Sequence, residues 1–497
     1  MTILETSPDA GPLAGEQRML IDGELQTTAS GQLFDVVNPA TEEIAGQATD
    51  GTVADMERAV GAARRAFDTT DWSRDVEFRY HCLVQLRDAL VEEKERLRRI
   101  VVTEVGTPVA MTHSIQLEFP LAEAGHWPEF GRSFEYWRDT GLHQGVGPGS
   151  RRLQQYDPVG VVGAITPWNV PFYLNIAECV PALMAGNAVV LKPAQLTPWS
   201  GSEIGRIAAE KTDIPPGIFN VVLSNANEVG AALSSDPRVD MITFTGSTAT
   251  GRKILAAAAP TVKRVLAELG GKSTHIVLDD ADLIACLPMA AAAACSMSGQ
   301  SCSLCSRILL PRSRYAEGIE VLKATMEAFP YGDPWDPNVY QGPQISEQQR
   351  RKVLGLIRSG LDSGAALVTG GGIPGRLPRG YFVEPTLLRD VDPASRIAQE
   401  EIFGPVLTVS AYDTEDEAVA IANNTIYGLS GEVSSADTER ALRVAARVRA
   451  GTVQVNGGAF FGVTSPLGGY KQSGLGRRNG VQGFEEYLEI KTIGLPA

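Results

Sequence analysis

Between Val53 and Glu104 apolar residues recur at helical spacing, Met56, Val60, Ala63 and Phe67, then Leu83, Leu86, Leu90 and Leu97, with charges between them. An inward stripe of this kind predicts two amphipathic helices. Further on the pattern changes to short apolar runs at 160–165, 188–191, 219–223, 241–245, 274–278 and 307–310, separated by helical stretches. Runs apolar on both faces and alternating with helices predict parallel strands with crossover helices, an α/β protein. The pattern breaks at Gly270-Gly271 and restarts through 366–369, 406–412 and 452–455, which puts a boundary between two α/β units there. The stretch 137–156 holds Gly141, Gly145, Gly147, Pro148 and Gly149 before Arg-Leu-Gln-Gln-Tyr, and reads as a projecting hairpin, with a flexible linker as the alternative.

The chain of 497 residues is long enough for two to four domains with their own cores. With 44 Lys+Arg against 59 Asp+Glu, its net charge of −15 gives no general attraction to nucleic acid or anionic lipid. The first residues are acidic and lack the basic and apolar segments of a secretory signal, and the longest apolar stretch, 283–297, falls short of a membrane span. A cytoplasmic location without a membrane or nucleic-acid partner is expected. Six cysteines are too sparse for a disulfide framework.

Four places could carry chemistry. Gly246-Ser-Thr-Ala-Thr-Gly251 follows an apolar run and precedes a helix expected from Arg252 to Ala259, so it could hold a pyrophosphate or be a plain glycine turn. Arg252-Lys253 stands where a triphosphate loop needs Lys-Ser/Thr, and prolines discount the glycine pattern Gly370, Gly372, Gly375. Cys302 lies in a polar break, Ser298 to Arg307, between an Ala-rich helix and a strand, where it is either ligand-facing or a small buried hydrophobe. Cys302 and Cys305 form a C-x-x-C that could pair on oxidation. Without a second C-x-x-C, and with the five histidines scattered, the pattern argues against a metal site. Glu268 ends an apolar run before two glycines, and Asn169 sits between Pro167 and Pro171; taken singly, each could be a surface or turn residue.

In order along the chain, Pro167-Trp-Asn-Val-Pro171, Leu191-Lys-Pro193, Phe244-Thr-Gly-Ser247, Glu268-Leu-Gly-Gly-Lys272, Gly299-Gln-Ser-Cys302, Glu401-Ile-Phe-Gly-Pro405 and Gly468-Gly-Tyr-Lys-Gln-Ser-Gly474 resemble the aldehyde dehydrogenase superfamily, from about Ile21 to Gly494. The resemblance implies a Rossmann-like dinucleotide-binding domain (1–136 and 158–269) and an α/β catalytic domain (270–456). It also implies an oligomerisation arm (137–157 and 485–497) and a return to the domain interface (457–484). It implies that Cys302 attacks an aldehyde, that Asn169 stabilises the oxyanion, and that Glu268 activates the water that hydrolyses the thioester, with surroundings that favour the Cys302 thiolate near neutral pH.

For the cofactor the resemblance assigns Ile165, Thr166, Pro167, Trp168, Lys192, Gln195, Gly246, Ser247, Gly251, Leu269, Gly270, Glu401 and Phe403. NAD is favoured and NADP stays open, because Gln195 lacks the acidic charge frequent at its position and Lys192 could pair with an extra phosphate. The substrate tunnel is expected at Val170, Tyr173, Ser301, Ser303, Phe460 and Phe461, apolar and with no arginine in those segments, for an apolar or aromatic aldehyde. Arg478 departs from the family, where many members carry Glu. A CoA-acylating enzyme and a non-catalytic binding protein are the alternatives, and a homo-oligomer is implied.

Overall fold

The computed structural model describes residues 13–145 and 147–497. Most of the acidic amino-terminal segment and Val146 at the tip of the 137–156 stretch lie outside the described residues.

Two sheets organise the chain. In the first, five parallel strands run in the spatial order Arg264–Glu268, Met241–Thr245, Val161–Ile165, Ala188–Lys192, Phe219–Val221. Numbered by occurrence this is the 5-4-1-2-3 order of a dinucleotide-type sheet, whose strand order reverses between the Val161–Ile165 and Met241–Thr245 strands. Met19–Ile21 and Glu24–Gln26 extend one edge, and Gly474–Leu475 pairs antiparallel with Arg264–Glu268 at the other. The second sheet has seven strands from Thr274–Val277 to Thr452–Val455, parallel except for Ala366–Thr369. Among the described residues no helix is long and apolar enough to cross a membrane.

The apolar runs became strands within a residue or two of their expected limits, because an apolar run buried on both faces has little choice but the sheet interior. Helix limits differ more. The expected pair over 53–104 is three helices, Val53–Thr69, Val76–Glu92 and Lys94–Val105, the last two separated at Glu93, whose ψ of 13° breaks the ladder without breaking the apolar stripe. Thr52 and Asp55 start the first with a reciprocal capping box, worth about 1 kcal/mol. The helix expected from Arg252 begins at Thr248, because Ser247 caps it by accepting from the Thr250 amide; the glycine motif is therefore the helix start itself.

The 137–156 stretch is a hairpin of Trp137–Gly145 and Gly147–Pro158, which removes the linker alternative. Leu488–Pro496 adds to it as a third antiparallel strand, from Leu488 opposite Pro158 to Pro496 opposite Ser150. Gly370 follows a strand at φ 71° and opens a loop, as its prolines require. The helix Pro171–Ala185 is buried on every side, so its side chains are mostly apolar; Asn175 and Glu178 are exceptions that need internal partners.

Candidate active site

The carboxyl ends of the first sheet's strands converge where its order reverses. Val161–Ile165 leads into Pro167-Trp168-Asn169, Met241–Thr245 into Gly246-Ser247, and Arg264–Glu268 ends on Glu268 itself. Facing them is the turn after the Leu283–Cys295 helix. Met297, Ser298 and Gly299 take φ of 52°, 58° and 69° in succession, left-handed conformations that cost about 1 kcal/mol or more at each non-glycine residue. Hydrogen bonds from the 342–345 segment hold this turn. Ser298 Oγ donates to the Gly342 carbonyl (2.7 Å), Gln344 Nε2 to the Ser298 carbonyl (2.8 Å), and the Ile345 amide to Gln300 Oε1 (2.9 Å). The turn carries Cys302 to the mouth of the converging strand ends. Asn169 Nδ2 donates to the Gln300 carbonyl (2.9 Å), and Gln116 fixes the Asn169 carbonyl (3.0 Å), so the amide stands beside the Cys302 loop.

Cys302, Glu268 and Asn169 line one cavity of about 630 Å³. Its wall takes in Pro167, Trp168, Gly246, Ser247, Leu269, Gly270, Glu401 and Phe403 on one side, and Val170, Tyr173, Ser301, Ser303, Phe460 and Phe461 on the other. Trp168 and Phe403 meet edge to face at 5.3 Å. Glu401 Oε1 accepts from the Gly271 amide (2.9 Å), and a Cβ at Gly270 would come within 2.7 Å of Glu401 Oε2, so a side chain there would displace the Glu401 carboxylate. Ile165, Thr166, Lys192, Gln195 and Gly251 lie outside this wall. Thr166 Oγ1 donates to Asn175, and Gly251 lets its helix pack on Leu269, whose Cδ2 would be 2.6 Å from an added Cβ. The Lys192 ammonium donates to the Pro193 and Ser224 carbonyls, and burial lowers it to about 8.

Burial dominates the electrostatics. It pushes Glu268 up to about 8, with Arg478 and Arg477 opposing and Glu178 and Glu486 adding to the rise. It pushes the Cys302 thiol up to about 12, helped by Glu401 and Glu268 and opposed by Arg478. Two carboxylates thus oppose the expected thiolate in the protein alone, while Arg478, shared with Glu178, favours it. Cys302 and Cys305 are both free thiols in the same wall.

The tertiary structure adds residues that local patterns did not single out. Phe119 completes a triangle of rings, 5.8 Å from Tyr173 and 5.3 Å from Phe461, which are 5.6 Å apart. Gln349 and Lys352 enter the wall from one face of the Glu347–Asp362 helix, and their three-residue spacing is the only signal they leave in the sequence. Arg478 also lines the cavity, so the tunnel segments lack arginine but the cavity does not. Its Nη2 donates to Glu178 Oε1 (2.7 Å) and to Thr245 Oγ1.

The sequence profile of the aldehyde dehydrogenase family matches residues 26–493. The chain is 42% identical to a 3-succinoylsemialdehyde-pyridine dehydrogenase of a Pseudomonas species, covering 95% of this chain and 97% of that protein. It is 38% identical to geranial dehydrogenase of Castellaniella defragrans, over 96% and 98%. Among solved structures it is similar to a mutant of aldehyde dehydrogenase C from Pseudomonas syringae in complex with NAD+ and octanal (TM-score 0.91, 40% identity, 96% of each chain). A Mycobacterium tuberculosis aldehyde dehydrogenase with NAD+ matches with a TM-score of 0.93 at 38% identity, over 97% of this chain and 98% of that one. A sheet of dinucleotide order, a cysteine that shares one cavity wall with an asparagine and a buried glutamate, and these matches over nearly the whole chain lead to one conclusion: the protein belongs to the aldehyde dehydrogenase family.

Proposed function

We propose that this enzyme oxidises apolar or aromatic aldehydes to free carboxylic acids with NAD+, through a thioester on Cys302. The observation that carries the reading is the single cavity wall shared by Cys302, Asn169 and Glu268, with an aromatic triangle behind it. The cofactor side fits a nicotinamide dinucleotide. The capped helix start at Ser247 offers amides to a pyrophosphate, Glu401 is held by the Gly271 amide, and the cavity runs unbroken from there to Cys302. Pro167, Trp168, Gly246, Ser247, Leu269, Gly270, Glu401 and Phe403 would hold it. When bound, NAD+ supplies the acceptor for the hydride of the aldehyde carbon.

The chain's own residues do the rest. Cys302 Sγ gives up its proton to water in the cavity it lines and attacks the carbonyl carbon, and the oxygen takes up the negative charge. The Asn169 amide and the Cys302 backbone N–H stabilise that charge, the amide exchanging its bond to the Gln300 carbonyl for one to the oxyanion. After oxidation the acyl group remains on sulfur. Glu268 takes a proton from water as the water oxygen bonds to the acyl carbon; the C–S bond breaks, releasing acid and the thiol. A carboxylate pushed up to about 8 suits this role, because a base titrating near the working pH accepts and returns protons readily.

The arm of Trp137–Gly145, Gly147–Pro158 and Leu488–Pro496 exposes Trp137, Leu142, Ile490 and Leu495, which supports its role as a contact between subunits of a homo-oligomer. The test is reduction of NAD+ and of NADP+ with octanal, an aromatic aldehyde and a semialdehyde acid, each with and without CoA. Acid formation with NAD+, fastest for the first two and indifferent to CoA, is expected. Preferred turnover of the semialdehyde acid would overturn the substrate class, and acyl-CoA formation would overturn hydrolysis.

A further inference from the structure

Behind Cys302, three carboxylates and one guanidinium are withdrawn from water. Glu123 is 2% exposed, Glu178 0%, Glu268 4% and Arg478 4%. They come from the helices Glu118–Ser133 and Pro171–Ala185, the end of the Arg264–Glu268 strand, and the segment before the Gly480–Glu485 helix. Arg478 Nη2 is fixed by Glu178 and Thr245, whereas Arg478 Nε and Glu268 Oε1 have no hydrogen-bond partner among the described residues. A pair serving only to hold helices together would use the fork of the guanidinium in full.

Placement gives the arrangement a purpose. Thr245 and Glu268 are partners in register on adjacent parallel strands, so Thr245, on which the guanidinium is anchored, lies about one strand spacing, ~4.8 Å, from Glu268. Both Arg478 and Glu268 line the reaction cavity. We propose that Arg478, clamped by Glu178 and Thr245, is a positioning residue that draws the Glu268 carboxylate to the cavity wall and favours its ionised form for thioester hydrolysis. The proposal rests on the reading of Glu268 as the water-activating base.

Charge bookkeeping makes it specific. Glu268 is faced by Arg478 and Arg477, which favour its anion, and by Glu178, Glu486, Cys302 and Tyr173, whose negative forms oppose it. Arg478 in turn is faced by Glu178, Glu268, Tyr173, Tyr487, Glu123 and Cys302. Removing the guanidinium therefore makes Glu268 harder to ionise. Neutralising Glu178 removes a repelling anion and frees the field of Arg478, so Glu268 becomes easier to ionise. Opposite shifts from two partners of one ion pair are not what a purely structural bridge would produce.

The test uses the full chain with NAD+ and octanal, following the hydride burst and the steady state after it from about pH 6 to pH 10. In Arg478→Gln the acid limb of the steady state is expected to move up by about one pH unit, roughly tenfold slower hydrolysis on the acid side. Arg478→Lys is expected to restore much of it, and Glu178→Gln to move the limb down. If Arg478→Gln does not fold, the double variant Arg478→Gln/Glu178→Gln, which removes both charges of the ion pair, is expected to show a limb above wild type. An unchanged limb in the variants that fold would overturn the proposal. Full steady-state turnover in Glu268→Gln would instead overturn the assignment of the base, a separate and distinguishable failure.

Discussion

Gly299 stands three residues before Cys302, the proposed nucleophile, at φ 69° and against the backbone of the opposite loop. A Cβ there would lie 2.1 Å from both the carbon and oxygen of Gly404, and 2.5 Å from the Pro405 nitrogen. These are backbone atoms, so no side-chain rotation relieves Gly299→Ala; the two loops must part by about 1.4 Å or more to reach ordinary contact. Left-handed strain adds about 1 kcal/mol or more, and overpacking against a backbone about 3 kcal/mol, for about 4 kcal/mol in all. The loops that part carry Cys302 on one side and Glu401 and Phe403 on the other. A misplacement of about 1 Å between reacting partners costs roughly a hundredfold in rate.

Denaturant unfolding and the NADH burst with octanal measure the two effects separately. Gly355→Ala, in the Glu347–Asp362 helix with no atom within 4 Å of the new Cβ, is the internal control and is expected to stabilise by about 0.5–1 kcal/mol. Wild-type stability in Gly299→Ala, with a burst within about threefold of normal, would refute the claim that this close approach sets the geometry of the site.

Hydrolysis of the thioester should rise with pH about tenfold per unit up to about 8 and then level, because Glu268 is protonated below that value and ionised above it; Glu268→Gln should remove the limb. The same raised carboxyl binds a proton in the folded state that the unfolded state releases above 4.5, so its ionisation costs stability as pH rises from 4.5 through about 8. Glu268→Gln should then be the more stable protein at alkaline pH by chemical denaturation, and a less stable variant would contradict the burial argument. Asn169→Ala should slow the hydride burst about a hundredfold or more with NAD+ binding retained, as read by NAD+ titration against burst rate. Phe119→Ala should lower kcat/KM for an aromatic aldehyde by about tenfold while changing acetaldehyde turnover little, since Phe119 packs on Tyr173 and Phe461, the rings proposed to hold the larger substrate. Leu142→Asp with Ile490→Asp, both exposed on the arm, should shift light-scattering mass toward the monomer; an unchanged mass would place the subunit contact elsewhere.

What local sequence could determine here was the set of buried strands and the residues at their ends. Val161–Ile165 and Met241–Thr245 are runs whose apolarity predicts a sheet interior, and Glu268 ends an apolar run, but taken singly Asn169, Gly246 and Glu268 could each still be a turn or surface residue. The motif likeness supplied the roles. Helix starts were less legible, as Thr248 and the break at Glu93 show, because caps depend on hydrogen bonds that apolar spacing does not record. Only the tertiary structure could decide the charge around the chemistry. Glu178 and Arg478 are 300 positions apart and show no mutual pattern, yet they meet beside Glu268. The protonation of Cys302 and Glu268 follows from desolvation and from those distant neighbours, since a side chain's proton affinity is a property of the space it occupies rather than of its place in the chain.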